Sequence, residues 1–144
     1  MISRRMWGYI RSLYEQALPL IKEPGTVQEA IEKLRLIAKV QPGFHEATYA
    51  LGYAHFLKGE LDEAIGAWSA TIDADPGNPK ASFGLAYAYM KSGDYEASRR
   101  YARIAREGGY PEGKLAQLLE ELDSLTSPDD MYEDMTILPA FDPM

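Results

Sequence analysis

Apolar residues recur along this chain at helical spacing, in short blocks separated by Gly, Pro and Asn. The clearest block is Leu115, Leu118, Leu119, Leu122 and Leu125, one stripe at i, i+3, i+4, i+7 and i+10, with Gln117, Glu120, Glu121 and Asp123 off it. This predicts an amphipathic helix over about 112–125. At the other end Ile2, Met6, Trp7 and Ile10 are spaced to extend a first helix back towards Met1.

The blocks between them repeat. Gly25, Gly59 and Gly93 are spaced by 34; Ala30, Ala64 and Ser98 fall on the same grid, as do Val27, Leu61 and Tyr95. Pro42 and Pro76 also keep it, with Pro111 one residue late. Each column has a physical role in a helix–turn–helix unit. The Gly column tolerates left-handed φ between two helices. The Ala/Ser column lets the two helices approach closely, and the Pro column ends the second helix. Thr26 with Glu29 reads as a capping box, and Asn78 before Pro79 as N-cap and first helical residue.

Leu51-Gly52, Gly59, Ala64, Trp68 and Pro76 together resemble the tetratricopeptide signature. Leu85-Ala86, Tyr89, Gly93, Ser98 and Ala105 follow it more loosely. A first unit keeps Gly25, Ala30, Leu34 and Pro42 but has Ala17-Leu18 in place of Leu-Gly, and Pro19 inside the expected helix, where a kink is expected. The resemblance covers about residues 8–111. It implies an all-α, right-handed α-α superhelix of three helix-turn-helix repeats, at about 11–44, 45–78 and 79–111, closed by a capping helix over 112–125. The whole forms one domain, 1–125.

Composition sharpens this in two places. The net charge is −7, yet residues 112–144 hold nine acids against Lys114 alone, so residues 1–111 are nearly neutral. Beyond Leu125 helical periodicity stops. Segment 126–144 combines Asp129, Asp130, Glu133, Asp134 and Asp142 with apolar beads at Met131, Tyr132, Met135, Ile137, Leu138, Phe141 and Met144, and Pro128, Pro139 and Pro143 favour an extended conformation. Ile137, Leu138 and Phe141 are its candidate anchors.

Chemistry is sparse. No Cys is present, which removes thiol nucleophiles and thiolate metal sites. His45 and His55 are the only histidines, and no phosphate loop, H-E-x-x-H or G-x-S-x-G pattern occurs. Their separation of ten places them about 80° apart around a helix, which disfavours a shared metal. Asp73–Asn78 echoes the start of a calcium loop, but its Gly comes early and Gly84 replaces the closing Glu. No catalytic residue, metal or cofactor is expected, and without a dense basic patch nucleic acid is not an expected partner. No apolar run approaches the ~20 residues of a membrane span. The Arg4-Arg5 pair precedes a charged helical pattern instead of an export signal, so a cytoplasmic protein is expected.

The family resemblance implies that the first helix of each unit lines a concave groove. It points to Glu46, Tyr49, Tyr53, Phe56 and Leu57 in the second unit and Lys80, Phe83, Tyr87, Met90 and Lys91 in the third. In the first it gives a polar edge of Ser12, Glu15, Pro19, Lys22 and Glu23. These aromatics serve either core packing or peptide anchorage; two apolar faces on one helix of a two-layer solenoid favour anchorage. Of the clamp that some family members use for chaperone carboxylates, only Lys80 has a counterpart. The apolar groove is more similar to the small three-repeat chaperones of bacterial type III secretion. The expected function is therefore a protein-interaction module, adaptor or chaperone-like, holding a peptide. The alternatives are a self-assembling scaffold whose tail docks in its own or a neighbour's groove, making a homo-oligomer, and a subunit whose tail is read by another protein. Arg99, Arg100, Arg103 and Arg106 read either as a solvated stripe or as a partner for the acids of 120–134.

Overall fold

A computed structural model describes residues 2–126, and these residues form seven helices and no strand. They are α1 (Arg4–Ile21), α2 (Val27–Val40), α3 (His45–Leu57), α4 (Leu61–Ala74), α5 (Pro79–Ser92), α6 (Tyr95–Glu107) and α7 (Glu112–Leu125). Helices pair as α1–α2, α3–α4 and α5–α6, each pair packs on the next, and α7 covers α5 and α6. The architecture is a right-handed all-α solenoid of three helical hairpins with a capping helix.

Three layers of core run along it. The first joins Ile10, Leu13 and Ala17 to Ile31, Leu34 and Ile37. The second centres on Trp68 with Leu85, and the third packs Met90 and Ala102 under Leu115, Leu118 and Leu122 of α7. Those three leucines are almost fully buried, so the stripe does close the open end. Ala30, Ala64 and Ser98 are wholly buried at the hairpin contacts. Ser98 is tolerated there because its hydroxyl donates to the Ala86 carbonyl at 2.6 Å.

The turns follow the expected chemistry in part. Gly59 (φ 78) and Gly93 (φ 93) take the left-handed conformation, and the next amide reaches back to the His55 or Tyr89 carbonyl. Gly25, on the same grid, does not adopt positive φ, whereas Gly109 (φ 90), off it, does. Asn78 caps α5 through the Ala81 amide at 2.9 Å, with Pro79 at the first position. The capping box at Thr26 does not form. Its hydroxyl instead donates to the Leu20 carbonyl at 2.8 Å, satisfying the end of α1 rather than the start of α2. Helix α1 runs through Pro19 and ends two residues later, where a missing N–H costs one bond at a terminus instead of breaking a helix interior.

Ion pairs at the capped end favour the second reading of the arginines for Arg99, whereas Arg106 meets an acid outside 120–134. Arg99 reaches Asp123 at 3.2 Å and Arg106 reaches Glu112 at 2.9 Å. Both pairs are solvent-exposed, so each stabilises by at most about 1 kcal/mol. Among the described residues, no helix is long and apolar enough to cross a membrane.

Candidate functional site

The first helices of the hairpins, α1, α3 and α5, share one face with α7, and that face is a continuous trough. Its widest part is a cleft of about 670 Å³ between α1 and α3, walled by Tyr14, Leu18, Ile21 and Lys22 on one side and by Glu46, Tyr49 and Tyr53 on the other. Lys80 closes it towards α5. A second depression of about 290 Å³ shares Tyr49, Tyr53 and Lys80 and continues over Phe56, Phe83, Tyr87, Tyr110 and Lys114. A third shares Phe83, Tyr87 and Lys114 and reaches Leu118 and Glu121 of α7.

The floor is an aromatic chain with Trp68 at its centre. Tyr49 and Phe56 lie 6.3 and 5.9 Å from the Trp68 ring, Phe56 meets Tyr87 edge-on at 5.5 Å, and Tyr87 lies 6.2 Å from Phe83. Phe83 stacks on Tyr110 at 4.3 Å. Such pairs add about 0.5–1.5 kcal/mol each beyond burial, which makes the floor rigid. Trp68 belongs to α4, in the outer layer, and passes between α3 and α5 to reach the trough. It does so because Gly52 and Gly84 leave room: a Cβ at either would come within 2.6 or 2.8 Å of the indole. The indole N–H donates to the Tyr49 carbonyl at 3.0 Å, which fixes its depth.

Burial pushes the Tyr49 phenol up to about 12, with the neighbouring Tyr110 and Tyr53 phenols adding to the shift. Tyr14 and Tyr110 are raised as well, chiefly by burial. The trough therefore presents neutral hydroxyls, which both donate and accept. Lysines stand around it: Lys22, Lys80 and Lys114 line it, and Lys91 lies 5.4 Å over the Tyr87 ring. Glu46, the acid of the wide cleft, is 3.2 Å from His45 Nε2.

The structure brings together most of the residues singled out from the sequence. Tyr49, Tyr53, Phe56, Lys80, Phe83 and Tyr87 line the trough, Glu46 the wide cleft, and Lys91 an exposed edge. Met90 is a correction: at 3% exposure it is part of the core beneath α7, because the capping helix covers that side of α5. The polar edge of the first unit is a second correction. Tyr14, Leu18 and Ile21 form most of that wall; of the five residues named, Lys22 lies in it and Glu15 lines an adjoining depression that shares Tyr14, His45 and Glu46 with it. Helix α1 presents to the trough a face rotated from the one those five positions define. The i, i+4, i+7 spacing of Tyr14, Leu18 and Ile21 carried the signal. Tyr110 lies in the turn that ends the last repeat and Lys114 in α7, so neither belongs to the first helix of a unit, where the groove positions fall. Ile137, Leu138 and Phe141 lie outside the described residues.

The histidines are structural in their surroundings. His55 is 5% exposed, and its Nδ1 lies 2.9 Å from Glu60 Oε1, linking the end of α3 to the cap of α4. That hydrogen bond is the main cause holding the Glu60 carboxyl below its usual range. Among the described residues, no cluster of three or more His, Asp or Glu side chains is placed to hold a metal ion.

Comparison with known proteins agrees with the fold. The tetratricopeptide repeat family model matches residues 25–79, and no curated protein matches the chain. Among solved structures, the type III secretion translocator chaperone SycD of Yersinia enterocolitica superposes with a TM-score of 0.77 at 19% identity, over 88% of this chain and 89% of SycD. SycD in complex with a peptide of the translocator YopD gives 0.75 at 18% identity, over 83% of this chain and 96% of that one. MamA gives 0.65 at 27% identity over 75% of this chain, which spans 61% of MamA. With a tetratricopeptide repeat model matching residues 25–79, three stacked hairpins and these neighbours, the chain has the fold of a tetratricopeptide-type helical repeat.

Proposed function

We propose that this protein is an interaction module that holds an extended peptide segment of a partner in the aromatic trough, as an adaptor or a small chaperone. The observation that carries this reading is the continuity of the trough. One apolar, tyrosine-walled surface runs from α1 across α3 and α5 to α7, with Tyr53 (44%) and Leu18 (37%) left exposed on it. A rigid floor costs little ordering entropy when a ligand binds, and aromatic side chains supply contact area with few rotors to freeze. SycD, similar in fold, has been crystallised with a peptide of its translocator, which supports a peptide as the ligand class here.

The test is selection of phage-displayed random peptides on the full chain and on a full-length Ile137→Asp/Leu138→Asp/Phe141→Asp variant. Enriched peptides are then titrated by fluorescence anisotropy. On whichever chain enriches them, Tyr53→Ala should weaken binding at least tenfold, about 1.4 kcal/mol. Leu36→Ala, an exposed position on α2, should leave it unchanged. Failure to enrich on either chain, or equal binding to the Tyr53→Ala protein, overturns the proposal.

A further inference from the structure

The trough has a chemical bias that the aromatic floor alone does not explain. Lys22, Lys80 and Lys114 line it and Lys91 stands at its edge, so that the stretch over α3 and α5 is basic, while the acids Glu46, Glu15 and Glu121 stand at its α1 and α7 ends. The complement of this surface is an extended segment that mixes carboxylates with large apolar side chains and carries no base. One such segment belongs to this chain: residues 129–142 hold Asp129, Asp130, Glu133, Asp134 and Asp142, with Ile137, Leu138 and Phe141, and no Lys or Arg.

Geometry brings it within reach. Helix α7 forms one wall of the trough, with Lys114 and Leu118 beside Phe83 and Tyr87, and the helix ends beside α6 at Thr126, whose hydroxyl accepts from Arg99 at 2.9 Å. Crossing from α7 over α5 and α3 to α1 takes about 30 Å, at ~8–10 Å per helix. Residues 127–144, fully extended, reach up to roughly 60 Å. A short tether also gives an effective concentration of the order of millimolar, so a segment of the same chain outcompetes that of a second copy at ordinary protein concentrations.

We infer that segment 129–142 of the same chain occupies the trough and must be displaced by a partner peptide. This rests on the reading of the trough as a peptide site and adds its regulation. Direction follows from the order of residues. The acidic run 129–134 comes first and lies over Lys114, Lys91 and Lys80. Ile137, Leu138 and Phe141 come later and enter the wide cleft between α1 and α3, which brings Asp142 towards Lys22. The occupant is apolar where the trough is widest and acidic where lysines stand closest to α7.

The absence of cysteine makes the test clean. A spin label on Met144→Cys in the isotope-labelled full chain should broaden the amides of Leu18, Lys22 and Tyr53 more than those of α2, α4 and α6. Ile137→Asp/Phe141→Asp should abolish that broadening, and high salt should reduce it. Broadening confined to α7, or spread evenly, overturns the inference. Mixing spin-labelled, NMR-silent chain with isotope-labelled wild-type chain should give no effect; an effect there makes a second copy the occupant and overturns docking within one chain. Peptides selected on the tail-substituted protein should bind it at least tenfold more tightly than wild type. Equal affinity overturns the inference and leaves the peptide reading standing, whereas failure to enrich any peptide removes that reading itself.

Discussion

Filling the space beside Trp68 is the perturbation most directly readable from the structure. A Cβ at Gly52 would lie 2.6 Å from Cδ1 and Nε1 of the indole, and one at Gly84 would lie 2.8 Å from Cδ2 and Cε2. Ordinary carbon contacts are ~3.5–4.0 Å, so each methyl overlaps the ring by roughly 1 Å. The ring has little freedom to retreat. Trp68 is 2% exposed, its N–H is held by the Tyr49 carbonyl, and the two glycines face it from opposite sides. Overpacking of this kind costs about 1–3 kcal/mol. Against it stands the ~1 kcal/mol by which Ala exceeds Gly in a helix interior. Because the ring is boxed in, the upper part of the range applies. Gly52→Ala and Gly84→Ala should each therefore destabilise by about 1–2 kcal/mol net. Gly66→Ala in α4 is the matched control: its Cβ meets nothing, and it should stabilise by up to about 1 kcal/mol. Urea unfolding followed by far-ultraviolet circular dichroism measures all three, with an unchanged m-value required for the comparison. In a Trp68→Leu background the penalty at Gly52 should largely vanish, a coupling of the size seen between residues in contact. Stabilisation by Gly52→Ala equal to that by Gly66→Ala would refute the account of how the trough floor is built.

Three further outcomes follow from single features. Ser98→Ala should cost about 1 kcal/mol in urea unfolding, since it removes the buried hydrogen bond to the Ala86 carbonyl; an unchanged midpoint would mean that Ser98 is only a stand-in for alanine. Leu118→Ala should cost about 2–5 kcal/mol through the cavity under α7 and should speed amide exchange in α7 before α3; uniform exchange would contradict the capping role. Tyr49 keeps its proton to about 12 in the folded protein against 10.0 for an unperturbed phenol, so its contribution to stability is complete below pH 10 and is lost as pH rises through about 12. Tyr49→Phe should flatten that part of the alkaline decline in the urea midpoint, leaving the part due to Tyr14, Tyr89 and Tyr110, and an unaltered decline would place the shift elsewhere.

The sequence by itself determined the solenoid. The 34-residue grid of Gly, Ala/Ser and Pro is set by backbone sterics: left-handed turns at Gly59 and Gly93 and close helix contact at Ala30, Ala64 and Ser98 are local demands that few residues meet. The leucine stripe of α7 was legible for the same reason, since one helix carries its whole pattern. Much of the trough was legible too, because Tyr49 and Phe83, and Tyr53 and Tyr87, stand 34 residues apart at the groove positions that the family resemblance implies. What only the tertiary structure decided depends on how neighbouring helices rotate and which of them covers another. The cap turned Met90 from a surface residue into core, and the setting of α1 replaced a polar edge with Tyr14 and Leu18. Trp68, on an outer helix, became the floor of the inner face because two glycines, separated from it by 16 residues on either side, open the same gap. Periodicity records which face of a helix is apolar; the angle at which that face meets its neighbours is set by packing across the layers, which no single segment encodes.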